Sequence, residues 1–132
     1  MPKKPPVSDD DRHFGVLALL DQPTSMAALV AGLRQSGYAV DVVRDAAEAR
    51  AAFFASGGHD CLVVAPDVRP GLARAIAASL RTVDPSLPMA TFGPSLGEAE
   101  RPAHEARLCG FHPGSRAGIG ALLRFLGALR RH

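Results

Sequence analysis

Three residues with chemically useful side chains each follow a short apolar run. Asp21 comes directly after the run of residues 13–20, Asp67 lies two residues beyond the run of residues 61–65, and His112 follows Phe111. Carboxylates can hold a divalent cation, and a histidine is a pH-sensitive cation. If the runs are parallel strands, these groups meet at the carboxyl edge of one sheet, where ligands bind. The alternatives are structural: Asp21 as a helix cap, Asp67 as a turn residue, and His112 as a structural histidine of a short strand beside proline.

Other catalytic and metal-binding arrangements are missing from the sequence. Cys61 and Cys109 have neither CxxC nor Cys/His spacing, so we expect them to be small core residues. The other histidines have no partner at i+4 and no carboxylate at ligand spacing, which disfavours a metal site; they are His13, His59, His104 and His132. No nucleophile elbow, phosphate loop or dinucleotide-binding glycine motif is present. We therefore predict no enzymatic activity and no cofactor.

Positive charge is concentrated at the carboxyl-terminal end. The last acidic residue is Glu105. Five arginines follow it in the sequence, with no acidic side chain to oppose them: Arg107, Arg116, Arg124, Arg130 and Arg131. On a helix, Arg116, Arg124 and Arg131 fall near one another on the side away from the leucines, while Phe125 lies off the leucine stripe. This face is either simply solvated or an interaction surface, because arginine and aromatic side chains often dominate binding energy. Gly118, Gly120 and Gly127 in the same segment indicate close packing or a pliable helix.

Composition indicates one globular domain. The chain has 132 residues, of which 47% are hydrophobic and 21% charged, and its net charge is +2. That charge is far from the strongly basic balance typical of nucleic-acid binding. No apolar run is long enough to cross a membrane and no signal region is present, so we expect a cytoplasmic protein. Residues 1–12 are predicted to be a flexible tail, and residues 13–132 the folded domain.

Apolar runs alternate with segments of helical period. Strands are predicted at residues 13–20, 39–43, 61–65, 89–92 and, very briefly, Phe111–His112. Helices are predicted from Pro23 to Gly37, from Asp45 to Gly57, from Pro70 to Asp84 with Val83 on the buried face, and from Ser115 onward. Residues 95–108 are predicted to be a short or broken helix, because Pro102 interrupts the pattern.

Five strand–helix units with such apolar strands predict an α/β fold. Helices must cover both faces of the sheet, which means a doubly wound, five-stranded parallel sheet of the flavodoxin-like (βα)5 type in three α/β/α layers.

Several of these segments resemble response-regulator receiver domains. The resemblance covers nearly all of the folded part and is carried by VLALLDQPTSMAALVAGLRQSGYAVDVVRDAAEA, HDCLVVAPDVRPG, PSLPMATFG and CGFHPGS. It implies a receiver-like fold. It also implies that the family's functional positions fall as follows: the acid pair at Leu20-Asp21, the phosphoacceptor at Ala65, the hydroxyl at Gly93, and the Lys-Pro pair at His112-Pro113. The resemblance further implies a cis peptide bond at His112–Pro113.

These substitutions remove the chemistry of the family. Alanine cannot form an acyl phosphate, and one carboxylate beside Leu20 and Ala65 is a poor cage for Mg²⁺. We therefore predict a pseudo-receiver, a signalling module that works without phosphorylation. Two alternatives stay open: Asp67 as a displaced phosphoacceptor, and a small-ligand site in the cleft using backbone amides of residues 93–95 and 114–115. A cobalamin site is disfavoured, because DQPTSM lacks the D-x-H-x-x-G pattern.

The resemblance also implies an interaction surface. Receiver domains use their fourth helix, fifth strand and fifth helix to bind partners, and this surface here includes Arg107, Phe111, Phe125 and the arginines of the last helix. An acidic protein partner fits such a surface better than DNA, since there is no recognition helix. A homodimer through the last helix is a further possibility, and no membrane partner is expected.

Overall fold

The computed structural model describes residues 14–92, 105–108 and 111–131. Its five strands form one parallel sheet in the order β2-β1-β3-β4-β5. The strands are β1 (Gly15–Leu19), β2 (Ala39–Val43), β3 (Cys61–Val64), β4 (Met89–Thr91) and β5 (Glu105–Arg107). The helices are α1 (Ala27–Gln35), preceded by a 3-10 turn at Pro23–Met26, then α2 (Ala46–Ala55), α3 (Pro70–Arg81) and α4 (Arg116–Arg130).

The central strands β1 and β3 are apolar and buried on both faces, as the sequence predicts. Residues 16–19 and 61–64 are all buried, and the two strands pair from Val16 with Cys61 to Leu19 with Val64. The edge strand β2 is different, because it exposes Ala39, Asp41 and Val42. Two-sided burial of the centre requires helices on both faces.

The helices pack in two pairs. Helix α1 contacts α4, and α2 contacts α3. Right-handed crossovers place α1 and α2 on opposite faces, because β1 to β2 and β2 to β3 run in opposite directions across the sheet. In the α1–α4 pair, Ile119 Cγ2 lies 3.4 Å from the point where a Cβ on Gly32 would sit, so the two helices approach closely there. The result is the doubly wound, three-layer fold that the sequence predicts.

Two helix starts confirm the predicted caps. Asp45 accepts a hydrogen bond from the Glu48 N–H at 2.8 Å, and the Glu48 carboxylate accepts one from the Arg44 N–H at 2.8 Å. Ser115 Oγ accepts one from the Gly118 N–H at 3.0 Å. These local hydrogen bonds fix where α2 and α4 begin.

The fifth strand corrects the sequence analysis. The strand is Glu105–Arg107, paired from Met89–Glu105 to Thr91–Arg107, whereas Phe111 and His112 lie outside any strand. A strand at the sheet edge has one open side and tolerates charged side chains, so its composition resembled that of a helix. The predicted helix over residues 95–108 is therefore wrong at residues 105–107, and residues 95–104 lie outside the described residues.

Two smaller expectations also fail. Helix α3 ends at Arg81, so Val83 is 55% exposed rather than buried. The His112–Pro113 peptide bond is trans. The predicted tail, residues 1–12, and also Gly93 and Cys109 lie outside the described residues. Across the described part of the chain, no helix is long and apolar enough to span a membrane.

Candidate functional site

The carboxyl edge of the sheet ends in buried apolar side chains. Leu20 and Ala65 are fully buried, and Phe92 is 2% exposed; all three belong to the main hydrophobic core. Their backbones extend the sheet: the Ala65 N–H donates to Leu19 O at 2.9 Å, and the Phe92 N–H donates to Val64 O at 2.9 Å. The positions that would carry an acid and a phosphoacceptor therefore contribute to packing.

Asp67 joins the two loops at this edge. Its Oδ1 accepts a hydrogen bond from the Asp21 N–H at 3.2 Å, and its Oδ2 accepts one from the Gln22 N–H at 3.0 Å. The sequence placed Asp21 and Asp67 in one cleft, and the structure brings them together. The contact uses the backbone of Asp21, however, and it engages both oxygens of Asp67.

A small pocket of about 110 Å³ lies beside these loops. Its lining residues are Asp21, Arg44, Asp67, Val68, Arg69 and Leu72. Arg44 and Arg69 were missed by the sequence analysis, although each follows the carboxyl end of a strand and the same rule could have found them. Two guanidinium groups beside two carboxylates do not suit a divalent cation. No group of three or more metal-ligating side chains occurs in the described residues.

His112 does not join this pocket. Its Nδ1 accepts a hydrogen bond from the Gly114 N–H at 3.0 Å, and its carbonyl oxygen accepts one from Ser115 Oγ at 2.7 Å. The ring is exposed, whereas Pro113 is buried. His112 thus shapes the turn that leads into α4, which is the structural alternative given by the sequence.

The outer side of α4 carries a cationic strip, which we define as Arg116, Arg124 and Arg131 with Gly120 and Gly127 between them. All three arginines are exposed. At 3.6 residues per turn these five positions lie within about 80° of one another, opposite the buried Leu122. An Nη1 atom of Arg124 lies 3.6 Å from the point where a Gly120 Cβ would sit, and Arg131 Nη1 lies 3.5 Å from that point at Gly127. The glycines let the guanidinium groups lie against the helix.

The remaining residues of the predicted interaction surface lie outside this strip. Arg130 is turned away from it: its guanidinium carbon lies 5.1 Å from the centre of the Tyr38 ring. Phe111 is 40% exposed, Phe125 is half-buried, and Arg107 on β5 is exposed. The structure therefore separates Arg130 from the other arginines of α4.

A second pocket, of about 510 Å³, opens at the opposite end of the sheet. It was not foreseen in the sequence, because its residues come from three strand starts and two helix ends. The lining residues are Gly15, Ala39, Asp41, Phe53, Ser56, Gly57, Gly58, His59, Asp60, Val83 and Asp84. We call it the amino-end pocket.

Within the amino-end pocket, Ser56, His59 and Asp41 form a chain of contacts. His59 Nε2 lies 2.8 Å from Asp41 Oδ2, and His59 Nδ1 lies 3.4 Å from Ser56 Oγ. This order of groups is that of a serine hydrolase, but the geometry does not fit. The hydroxyl has carbonyl acceptors on Phe53 at 3.1 Å and on Gly58 at 3.3 Å, and the His59 side chain is only 3% exposed. The contacts join β2, α2 and the start of β3.

The neighbouring Cys61 confirms the expectation of a core cysteine. It is fully buried, and this burial, together with the negative charge of Asp60, raises the pKa of its thiol far above the ordinary value. The thiolate is therefore disfavoured in the folded protein, and Cys61 lacks the character of a nucleophile or metal ligand.

Comparison with solved structures identifies the fold as that of CheY-like receiver domains. The chemotaxis response regulator CheY4 of Vibrio cholerae superposes with a TM-score of 0.67 and 19% identity, covering 89% of this chain and 99% of that chain. A response regulator receiver protein from Sinorhizobium medicae superposes with a TM-score of 0.64 and 18% identity, covering 89% of this chain and 97% of that chain. A chain in the structure of histidine kinase ThkA in complex with response regulator TrrA superposes with a TM-score of 0.64 and 16% identity, covering 87% of this chain and 97% of that chain.

Sequence-level comparisons find nothing. No family model and no curated protein matches the chain. At the identities above, the structural likeness establishes a shared fold, and the chemistry has to be inferred from the chain's own residues.

Proposed function

We propose that this chain is a pseudo-receiver, a cytoplasmic, non-enzymatic signalling module that binds a protein partner without being phosphorylated. The observation that carries the proposal is Ala65, which occupies the end of β3 as a fully buried core residue. Receiver phosphorylation depends on positioned carboxylates, Mg²⁺ and a cation. Here Leu20 and Ala65 provide methyl groups in place of oxygen ligands, and His112 lies outside the pocket.

Asp67 is the rival phosphoacceptor, and its contacts favour the proposal. Both of its oxygens accept backbone N–H groups from the loop after β1. Phosphorylation of either oxygen would break one of these bonds. The small-ligand alternative uses backbone amides of residues 93–95, which lie outside the described residues; the pocket that the described residues form at this edge has a volume of about 110 Å³, below the roughly 300 Å³ or more typical of ligand sites.

Partner binding is assigned to the cationic strip of α4. Arg116, Arg124 and Arg131 are exposed, and the strip contains no acidic residue to neutralise them. Carboxylates are the natural complement, because a guanidinium group binds them in bidentate fashion. The partner is therefore an acidic protein surface.

The test is incubation with a small-molecule phosphodonor and Mg²⁺, followed by intact-mass spectrometry. We expect no added phosphate, and we expect no change in backbone amide chemical shifts when beryllofluoride and Mg²⁺ are added. An active receiver domain treated in parallel is the positive control. A phosphate adduct that disappears in Asp67→Asn would overturn the proposal.

A further inference from the structure

The amino-end pocket has an unbalanced negative charge. Its lining contains three carboxylates, Asp41, Asp60 and Asp84, and no lysine or arginine. Each carboxylate uses one oxygen: Asp41 on His59, Asp60 on the Gly15 N–H, and Asp84 on the Ser86 N–H. The second oxygen of each has no partner among the described residues. The rim therefore offers three acceptors for cationic donors.

The helix ends strengthen this field. Helix α2 ends at Ala55 and α3 ends at Arg81, and residues within three positions of these ends, Ser56 to Gly58 and Val83 to Asp84, line the pocket. A helix carboxyl end carries a partial negative charge. Two such ends beside three carboxylates attract a positively charged group from outside.

Exposed apolar side chains adjoin the same pocket. Val83, in its lining, is 55% exposed, and Phe54 is 57% exposed. The Phe54 ring packs edge-on against Phe53 of the pocket wall, with ring centres 5.8 Å apart. An aromatic and an aliphatic side chain next to a concave charged site are typical of a protein-binding surface. A macromolecular partner accounts for them better than a small cation does.

The complementary surface is present on the same chain. The cationic strip of α4 carries three exposed arginines over a length of about 22 Å, and exposed Phe111 precedes it. No residue of α4 lines the pocket of its own molecule, and α4 packs with α1 on the other face from α2 and α3. It can reach the pocket of another molecule.

We infer that the cationic strip of one copy docks in the amino-end pocket of a second copy. The inference rests on the proposed function and names the acidic partner of the strip as this chain itself. Guanidinium groups of the strip pair with free oxygens of Asp41, Asp60 and Asp84 at the rim, and Phe54 and Val83 cover their aliphatic stems. The contact joins two different surfaces, so copies associate head to tail. In a dimer, one copy keeps a free pocket and the other keeps a free strip, so further copies can add. It gives the homodimer through the last helix, which the sequence left as a possibility, a specific partner surface.

The test is sedimentation velocity on the full chain with a pair of charge reversals. The wild type is expected to increase in mass with concentration in low salt, and to return to monomer at about 0.5 M NaCl, where charges are screened within a few ångströms. Asp84→Arg blocks the pocket, and Arg124→Asp blocks the strip. Each variant alone is expected to remain monomeric.

Mixing the two variants gives the decisive result. The intact strip of Asp84→Arg can meet the intact pocket of Arg124→Asp, so an equimolar mixture is expected to form a discrete one-to-one dimer that grows no further. Val83→Arg, which breaks no hydrogen bond, is expected to act like Asp84→Arg if that variant folds poorly. Arg69→Asp, at the other end of the sheet, is the control and should associate like the wild type.

Three outcomes would overturn the inference. The first is a wild type that remains monomeric in low salt, and the second is a variant mixture that forms no dimer. The third is association abolished by Arg124→Asp but retained in Asp84→Arg and Val83→Arg, which would indicate a symmetric contact through α4. None of them bears on the phosphodonor experiment, so the inference and the pseudo-receiver proposal can fail separately.

Discussion

At the scale of single residues, Asp67 has a structural task. Its two hydrogen bonds connect the loop after β3 to the loop after β1. These loops bracket the edge where a receiver would bind Mg²⁺. The carboxylate holds them together through backbone N–H groups.

Asp67→Ala is therefore expected to lower the free energy of unfolding by about 1 kcal/mol, because it removes two exposed hydrogen bonds. Urea denaturation monitored by circular dichroism measures the change. Asp67→Asn keeps one acceptor oxygen and should lose less. Equal stability of the wild type and Asp67→Ala would contradict the structural role of this carboxylate.

Cys61 should be chemically silent until the protein unfolds. In a Cys109→Ser background, we expect iodoacetamide at pH 8 to modify Cys61 in urea but not in native buffer, because burial raises the pKa of the thiol. Rapid modification under native conditions would show that β3 is accessible.

The same thiol adds a pH dependence to stability. Its folded pKa is raised, so above the pKa of an exposed thiol, about 8.5, the unfolded chain releases a proton that the folded protein retains. The free energy of unfolding then falls as pH rises, by up to about 1.4 kcal/mol per pH unit. Comparing its slope between pH 8 and 10 in the Cys109→Ser protein and in the same protein with Cys61→Ala isolates this contribution. Parallel slopes would contradict it.

At the scale of elements, the turn before α4 depends on a close approach that only glycine permits. A Cβ on Gly118 would collide with the carbonyl oxygen of His112. That oxygen also accepts the Ser115 N–H at 3.0 Å and the Ser115 hydroxyl. Gly118, Ser115 and His112 thus form one unit that fixes the start of α4, and through it the position of the cationic strip.

Gly118→Ala is expected to cost about 2–3 kcal/mol, since the backbone must shift to accept the methyl group. Gly71→Ala in α3 is the matched control. Nothing lies within 4 Å of its added Cβ, so it should be neutral or slightly stabilising through helix propensity. Thermal or urea unfolding of both variants measures the difference. Similar stability of the two would show that the His112 turn is not packed against α4.

At the scale of the whole molecule, stability is concentrated in the central strands. β1 and β3 are buried on both faces, whereas β2 and β5 are the two edges of the sheet. Among the strands of the described part, those in the centre should therefore open only with global unfolding.

Hydrogen exchange followed by NMR should give the slowest amides in β1 and β3, with faster exchange in β2 and β5. Leu62 and Val64 in β3 are expected among the most protected, and Val42 on the exposed side of β2 is expected to be less so. Uniform protection across all five strands would contradict this division.

Local patterns in the sequence were enough to predict most of the fold. Apolar strands such as residues 16–19, and caps such as Asp45 and Ser115, act over a few residues and are visible without tertiary context. The fifth strand was missed because an edge strand with the sequence Glu-Ala-Arg is stabilised by pairing with β4, which no local pattern records.

The chemical identity of the carboxyl edge was determined by the sequence alone, since a residue type such as Ala65 fixes which bonds a position can make. What only the tertiary structure decided is where groups distant in the chain meet. Asp41, His59 and Asp84 come together because parallel strands start, and the crossover helices end, at the same edge of the sheet. The guanidinium group of Arg130 lies over the Tyr38 ring and is therefore separated from the other arginines of α4. Contacts of this kind arise from packing between elements, which the order of residues does not specify locally.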